Sequence, residues 1–245
     1  MTTRAWVEQI MGLPISLHVR AADTDRDDIA DAVADAFTDL RRADAVFSTW
    51  RADSDVMRCR AGTLTLAAAD PTVLEVESLC RRALQETGGI FTTDLVGPDG
   101  SRGFDPTGVV KAWAVSRAVR SLTGLDGLAY ALNAGGDIAF GTGRDGQDFG
   151  PWRIGIQDPT DRGRIADTVS LTVGAVATSS SAERGGHIVD PITDQPVRQD
   201  FSTTVVGPDL VWADIWATAT FVDPTALNGR DEWRDYGLLI THGRH

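Results

Sequence analysis

Asp214 and Thr218 stand four residues apart in LVWADIWATATFV (210–222), a stretch apolar around its whole circumference that reads as a buried helix. Asp214 is its only ionisable group, and a buried carboxylate costs several kcal/mol unless it is paired or binds a metal. One helical turn separates the two side chains, so carboxylate and hydroxyl face the same way. Together they form a partial hard-oxygen site, of the kind magnesium uses when water, backbone carbonyls and substrate phosphates complete its shell. The competing reading pairs Asp214 with a neighbouring Arg or Lys and bonds Thr218 to the carbonyl one turn back. The helix alone favours that second reading.

Other residues could serve the same chemistry. NAGGD (133–137) follows an apolar strand, where paired glycines let a backbone approach a ligand or simply form a hairpin turn, the turn being the commoner use. Thr178, Ser179, Ser180 and Ser181 are a hydroxyl cluster at a strand end, followed by Glu183, Arg184, His187 and Asp190. Such a loop could donate to phosphate or be merely solvated. His187 lies between a glycine pair and Ile188–Val189, and a lone histidine is more often structural than catalytic. Lys111, three residues beyond Gly108, could set a positive charge beside a phosphate held at a helix N-terminus, or be an ordinary surface lysine.

These residues need elements to hold them. Runs 4–10 and 14–20, separated by a tight turn at Gly12, read as a hairpin. Ile29, Val33, Phe37, Leu40 and Phe47 recur at mostly helical spacing over 27–47, with acidic residues in the first turn. Asp70–Pro71 is a cap and first-turn pair, and its helix runs to Gly88 and Gly89. Asp105–Pro106 opens another helix that carries Val110, Trp113 and Leu122 before Gly124 ends it. Strands are expected at 128–132, 152–156, 168–173, 187–189, 202–206 and 236–241, the helix 210–222 interrupting the series. The order is α+β without regular βαβ alternation, and no linker or repeat divides residues 1–245, so a single compact domain of mixed or antiparallel sheets with packed helices is expected.

A formal net charge of −12 repels nucleic acid and anionic lipid surfaces, so a phosphate ligand needs concentrated local positive charge from a metal ion, a helix N-terminus or a well-placed Lys or Arg. No run approaches the roughly 20 apolar residues that span a bilayer, and 1–12 lacks a secretory pattern. Cys59 and Cys80 are too few for a disulfide framework and too isolated for a zinc site. A cytoplasmic protein without a membrane anchor is the expectation.

The motifs, taken in order, resemble the ApbE family, the FAD:protein FMN transferases. They are Met11–Gly12, FSTWRADSD (47–55), GGIF (88–91), FDPTGVVKAWAV (104–115), NAGGDI (133–138), VATSSSAER (176–184), HIVDP (187–191) and ADIWATATFV (213–222). Each is unspecific alone; their common order over nearly the whole chain carries the resemblance. It implies a T-fold-related α+β domain and a magnesium-dependent enzyme. That enzyme would split FAD, release AMP, and attach FMN through its phosphate to a Ser or Thr hydroxyl of an acceptor protein.

By the same resemblance Asp214, Thr218 and the carbonyl of Gly108 match metal-ligand positions. Met11, Trp50, Ile90, Phe91, Thr92, Asp105, Lys111, Asp137, Thr178, His187 and Ile188 match FAD contacts. His187 is the expected general base and Asp190 the second candidate. Trp50 stands where family members usually have Tyr, Thr92 where they have Asp, and Ser180 where they have Gly. The short segment between Phe91 and Asp105, and the lack of a lipid-attachment cysteine, resemble compact members without a lipoprotein leader. The alternatives are an FAD pyrophosphatase that yields FMN and AMP, and a non-catalytic FAD-binding protein.

Overall fold

The computed structural model describes residues 1–96, 100, 102–181, 188–231 and 233–243. The chain opens with β1 (Thr2–Ile10) and β2 (Leu13–Ala21), then α1 (Asp27–Phe47), α2 (Asp55–Arg60) and α3 (Pro71–Glu86). A short hairpin, β3 (Asp94–Val96) and β4 (Arg102–Phe104), leads into α4 (Thr107–Ala118) and α5 (Arg120–Thr123). There follow β5 (Leu128–Ala134), β6 (Asp137–Thr142), β7 (Trp152–Gln157), β8 (Ile165–Leu171), β9 (Gly174–Ser180), β10 (Phe201–Gly207), α6 (Leu210–Val222) and β11 (Gly237–His242). The architecture is α+β, as the sequence predicts.

Among the described residues, seven strands form one antiparallel sheet in the order β1-β2-β5-β6-β9-β10-β11, while β3–β4 and β7–β8 are separate hairpins. The two sheet faces differ in what covers them. On one face Leu17, Val19, Leu132, Ala175 and Ala177 pack with α1, α4 and α6 in the main core. On the other, Ala131, Ile138, Phe140 and Val176 pack with Trp152 and Ile156 of the β7–β8 hairpin. Since side chains alternate along a strand, neighbouring residues of β5, β6 and β9 serve two different cores.

Three helices follow from their sequence signals. In α1 the buried face is Ile29, Val33, Phe37, Leu40 and Phe47, filled out by Ala32, Ala36 and Ala43. In α3 the Asp70 carboxylate accepts from the Thr72 amide at 3.0 Å, and Pro71 occupies the first turn. The α6 cap is Asp209, which accepts from the Trp212 amide at 3.0 Å. Almost every α6 residue is buried because sheet and α4 enclose it, which explains an apolar pattern with no polar face.

Four expectations are corrected. The helix after Asp105 does not run unbroken to Leu122, since Val119 separates α4 from α5. The strand expected at 168–173 lies at Ile165–Leu171 as β8, and β9, Gly174–Ser180, is not among the expected strands; it opens on Gly174, whose φ of 119° is open only to glycine. At 187–189, His187 lies outside the described residues, and Val189 makes only an isolated bridge to Pro196. The strand expected at 128–132 reaches Ala134 and is followed by β6, which hydrophobic alternation does not reveal because Ala, Gly and Thr fill half of it.

Candidate functional site

α6 carries the opening pair. Asp214 is 7% exposed, and Thr218, one turn on, is half-buried with its Oγ1 3.2 Å from Ser179 Oγ of β9. Strand alternation explains the contact: Ala175, Ala177 and Ser179 face the helices, while Val176, Thr178 and Ser180 face the hairpin side. Ser179 is a site residue that the motif reading passes over, although it lies within the hydroxyl cluster at 178–181. The available signal was its place in the alternation of β9, legible only once β9 was known to be a strand.

The glycine pair turns out to be a hairpin turn that also builds the site. Ala134 pairs with Asp137, leaving Gly135 and Gly136 as a two-residue loop with φ of 65° and 96°, and the Asn133 side-chain oxygen accepts from the Gly136 amide at 2.9 Å. This turn sets Asp137 at the mouth of the sheet, 1% exposed. One of its oxygens lies 2.5 Å from Lys111 Nζ of α4, and the other accepts from the Thr178 amide at 3.3 Å. Lys111 is therefore no bare surface lysine: its side chain is 21% exposed and held against a buried carboxylate.

The start of α4 is fixed from two sides. Asp105 accepts from both the amide and the hydroxyl of Thr107, at 3.0 and 2.6 Å, and its own amide donates to the Thr93 carbonyl at 2.7 Å. Gly108 lies against the Phe91 ring, whose Cζ is 3.3 Å from where a Cβ would stand, so a side chain there would press on the ring. Phe91 is buried, and its amide donates at 3.0 Å to the hydroxyl of Thr87, which is itself fully buried. Ile90 packs partly buried against the main core, and the Thr92 hydroxyl accepts from the Asp94 amide at 3.1 Å.

The remaining predicted residues are spread around this centre. Met11 occupies the β1–β2 turn with φ of 55°, a left-handed conformation uncommon for a non-glycine residue, and Gly12 beside it has φ of 73°. Trp50 is 94% exposed. Ile188 is buried with Phe201 and Phe221. The Asp190 carboxylate is occupied in its own turn, accepting from the Ile192 amide at 2.8 Å. Contacts thus link Lys111, Asp137 and the Thr178 amide on one hand and Ser179 with Thr218 on the other, the two sets meeting at neighbouring residues of β9. Met11 packs partly buried against the main core, Trp50 is exposed, and His187 lies outside the described residues.

The cluster offers one carboxylate turn, neighbouring hydroxyls and a cation held by a second carboxylate. Among the described residues no three His, Cys, Asp or Glu side chains converge. A divalent ion here would have to complete its shell from hydroxyl, carbonyl, water or substrate oxygens, which suits a hard cation and not zinc. Among the described residues no helix is long and apolar enough to cross a membrane.

The chain is similar to known proteins in sequence and in fold. The model of the ApbE family matches residues 92–229. The FAD:protein FMN transferase of Salmonella typhimurium is 33% identical over 109 residues, 40% of this chain and 30% of that protein. The FAD:protein FMN transferase of Rhodobacter capsulatus is 35% identical over 132 residues, 50% of this chain and 24% of that protein. The aligned stretch thus spans less than a third of either relative. Among solved structures, the ApbE protein of Thermotoga maritima superposes with a TM-score of 0.76 at 20% identity, covering 99% of this chain and 97% of that one. The flavin transferase ApbE of Vibrio cholerae gives 0.72 at 20% identity, covering 98% and 93%.

Proposed function

Since the chain belongs to the ApbE family, we propose that it is a magnesium-dependent FAD:protein FMN transferase, a single flavin transferase domain over residues 1–245 acting in the cytoplasm on another protein. The observation that carries the reading is the buried Asp214–Thr218 turn of α6, joined through Ser179 and Thr178 to the Lys111–Asp137 pair. That arrangement puts oxygen ligands and a cation on neighbouring elements of a chain of net charge −12. The names of the curated relatives supply the flavin chemistry.

Asp214, Thr218 and the Gly108 carbonyl would hold the magnesium ion, whose contribution when bound is to neutralise pyrophosphate charge and polarise the phosphoryl oxygens. Lys111, steadied by Asp137, adds a fixed positive charge beside the same phosphates. Met11, Trp50, Ile90, Phe91, Thr92, Asp105, Thr178 and Ile188 would position FAD, and the acceptor hydroxyl attacks the FMN phosphorus in line with the departing AMP. One O–P bond forms from the acceptor to FMN, the P–O bond to AMP breaks, and the hydroxyl proton passes to a base, for which we propose His187. At the Thr92 position a hydroxyl, and no carboxylate, would face the flavin in this reading.

The test is incubation with FAD, magnesium and a candidate Ser- or Thr-bearing acceptor, followed by mass spectrometry. An FMN increment on the acceptor with one AMP released per increment is expected. AMP and FMN released with no increment on any acceptor would identify the pyrophosphatase instead. FAD bound in stoichiometric amount and left uncut would identify a binding protein.

A further inference from the structure

Among the described residues β1 is an edge strand, paired with β2 on one side only. Its residues, Thr2–Ile10, include neither proline nor glycine, their register with β2 runs unbroken, and Arg4 and Glu8 are their only charges. Most of the devices that blunt an edge are therefore missing. Which backbone groups face outward follows from Pro14. It has no N–H, so its pair with Gln9 is a non-hydrogen-bonded pair of the hairpin. Bonded and non-bonded pairs alternate, so Thr3, Ala5, Val7 and Gln9 turn their N–H and C=O groups away from β2. Among the described residues no loop or other element takes up those groups.

The side chains of β1 are arranged about its middle. Arg4 and Glu8 lie two residues either side of Trp6 and on the same face. There Trp6 packs partly buried against the main core, with the Arg4 guanidinium 4.8 Å from its ring centroid. Arg4 meets Asp25 at 2.6 Å and Glu8 meets Arg41, yet the two side chains remain 47% and 39% exposed. On the opposite face Thr3, Ala5, Val7 and Gln9 are all exposed, because the β7–β8 hairpin packs over β5, β6 and β9 and not over β1.

We propose that β1 is a self-association surface whose partner is β1 of a second copy of this chain, paired antiparallel about a two-fold axis at Trp6. In that register Ala5 faces Val7 of the partner subunit and Thr3 faces Gln9 of the partner subunit, so the outward N–H and C=O groups meet one another. Arg4 stands opposite Glu8 of the partner subunit, and Trp6 opposite Trp6 of the partner subunit. These are non-hydrogen-bonded pairs, in which side chains approach closest. Two-fold symmetry makes each attraction occur twice. Other registers lose the match: an axis at Arg4 or Glu8 opposes like charges, and one at Ala5 or Val7 leaves both charges without an opposite. On the outer face the Ala5 and Val7 side chains of the two copies cover each other.

Sedimentation velocity of the full chain over a concentration series should show a monomer–dimer equilibrium, and hydrogen exchange at the Ala5 and Val7 amides should slow as the dimer fills. Arg4→Glu opposes like charges at both ends of the pairing and should weaken dimerisation by roughly tenfold or more. Adding Glu8→Arg should recover it. Within one copy that double variant faces Asp25 and Arg41 with like charges, so recovery can come only from the contact between copies. Val7→Pro removes an outward donor that no β2 bond uses, and should give a monomer with unchanged circular dichroism. Should that variant fail to fold, the charge variants and the exchange decide. A chain that stays monomeric across the series overturns the proposal, as does a dimer that survives Arg4→Glu or a double variant that stays monomeric. Ala5 and Val7 amides that remain slow at every dilution would mean that something other than a second copy closes the edge, which overturns it too.

Discussion

Asp214 is a buried carboxylate on an apolar helix, and its burial alone leaves two uses open, ligand or ion-pair partner. Replacing it by Asn keeps shape and removes charge. In Asp214→Asn, magnesium-dependent FAD cleavage should fall by ~100-fold or more, the scale of losing a metal's electrostatic contribution, while circular dichroism and FAD binding are retained. Cleavage at the original rate would remove Asp214 from the metal site. Lys111 is different because its partner suffers from its loss. Lys111→Met leaves Asp137 buried without its cation and should cost on the order of 3 kcal/mol of stability by urea titration. The double variant Lys111→Met/Asp137→Asn should recover most of that cost but not the activity. If the two changes simply add, the pair is not coupled.

At the scale of elements, helix caps decide where the site-bearing helices begin. Asp70 caps α3, and its carboxyl is held well below the usual range, at about 2, by hydrogen bonds from the Thr72 hydroxyl, the Arg42 guanidinium and the Thr72 amide. A depressed folded-state value means the stabilisation is present above the ordinary value of 3.8 and is lost as pH falls towards about 2. Asp70→Ala should therefore cost about 1 kcal/mol near neutral pH, and the difference from the unaltered chain should shrink in melts taken from pH 4 down to 2. A difference independent of pH would mean that the charge on Asp70 is not what caps the helix. The β1–β2 and β5–β6 turns work otherwise: both use two consecutive positive φ values, but one puts Met11 where glycine would be easier.

For the whole molecule, closure at the far edge of the sheet bears on the site. Gly207 ends β10, and a Cβ there would stand 2.0 Å from the Tyr236 ring, which precedes β11. Burial pushes the Tyr236 phenol well above its usual range, with the Asp209 carboxylate adding to the effect. Asp209 caps α6, so one contact region ties the last strand to the helix that carries Asp214. Gly207→Ala should force the ring out and destabilise by about 1–3 kcal/mol, with loss of cooperativity at the tryptophans of α6, Trp212 and Trp216, read by fluorescence. An unchanged melting temperature would show that the ring can be displaced without cost.

The sequence by itself determined α1, α3 and α6, since amphipathic spacing, caps and an unbroken apolar circumference are local properties of the chain. Motif order likewise carried the family and named Asp214, Thr218, Lys111 and Asp137 before any coordinates. It did not reveal β6 or β9, which hide in small and hydroxylic residues, the expected strand at 168–173 stopping short of Gly174. Those two strands are neighbours in the sheet although 31 residues lie between the end of one and the start of the other. Only that long-range pairing sends Ser179 to Thr218 on one face and Thr178, Ser180 and Ser202 to the β7–β8 hairpin side on the other. A strand's alternation is written in its residues, but which face meets which partner depends on the neighbours the fold supplies.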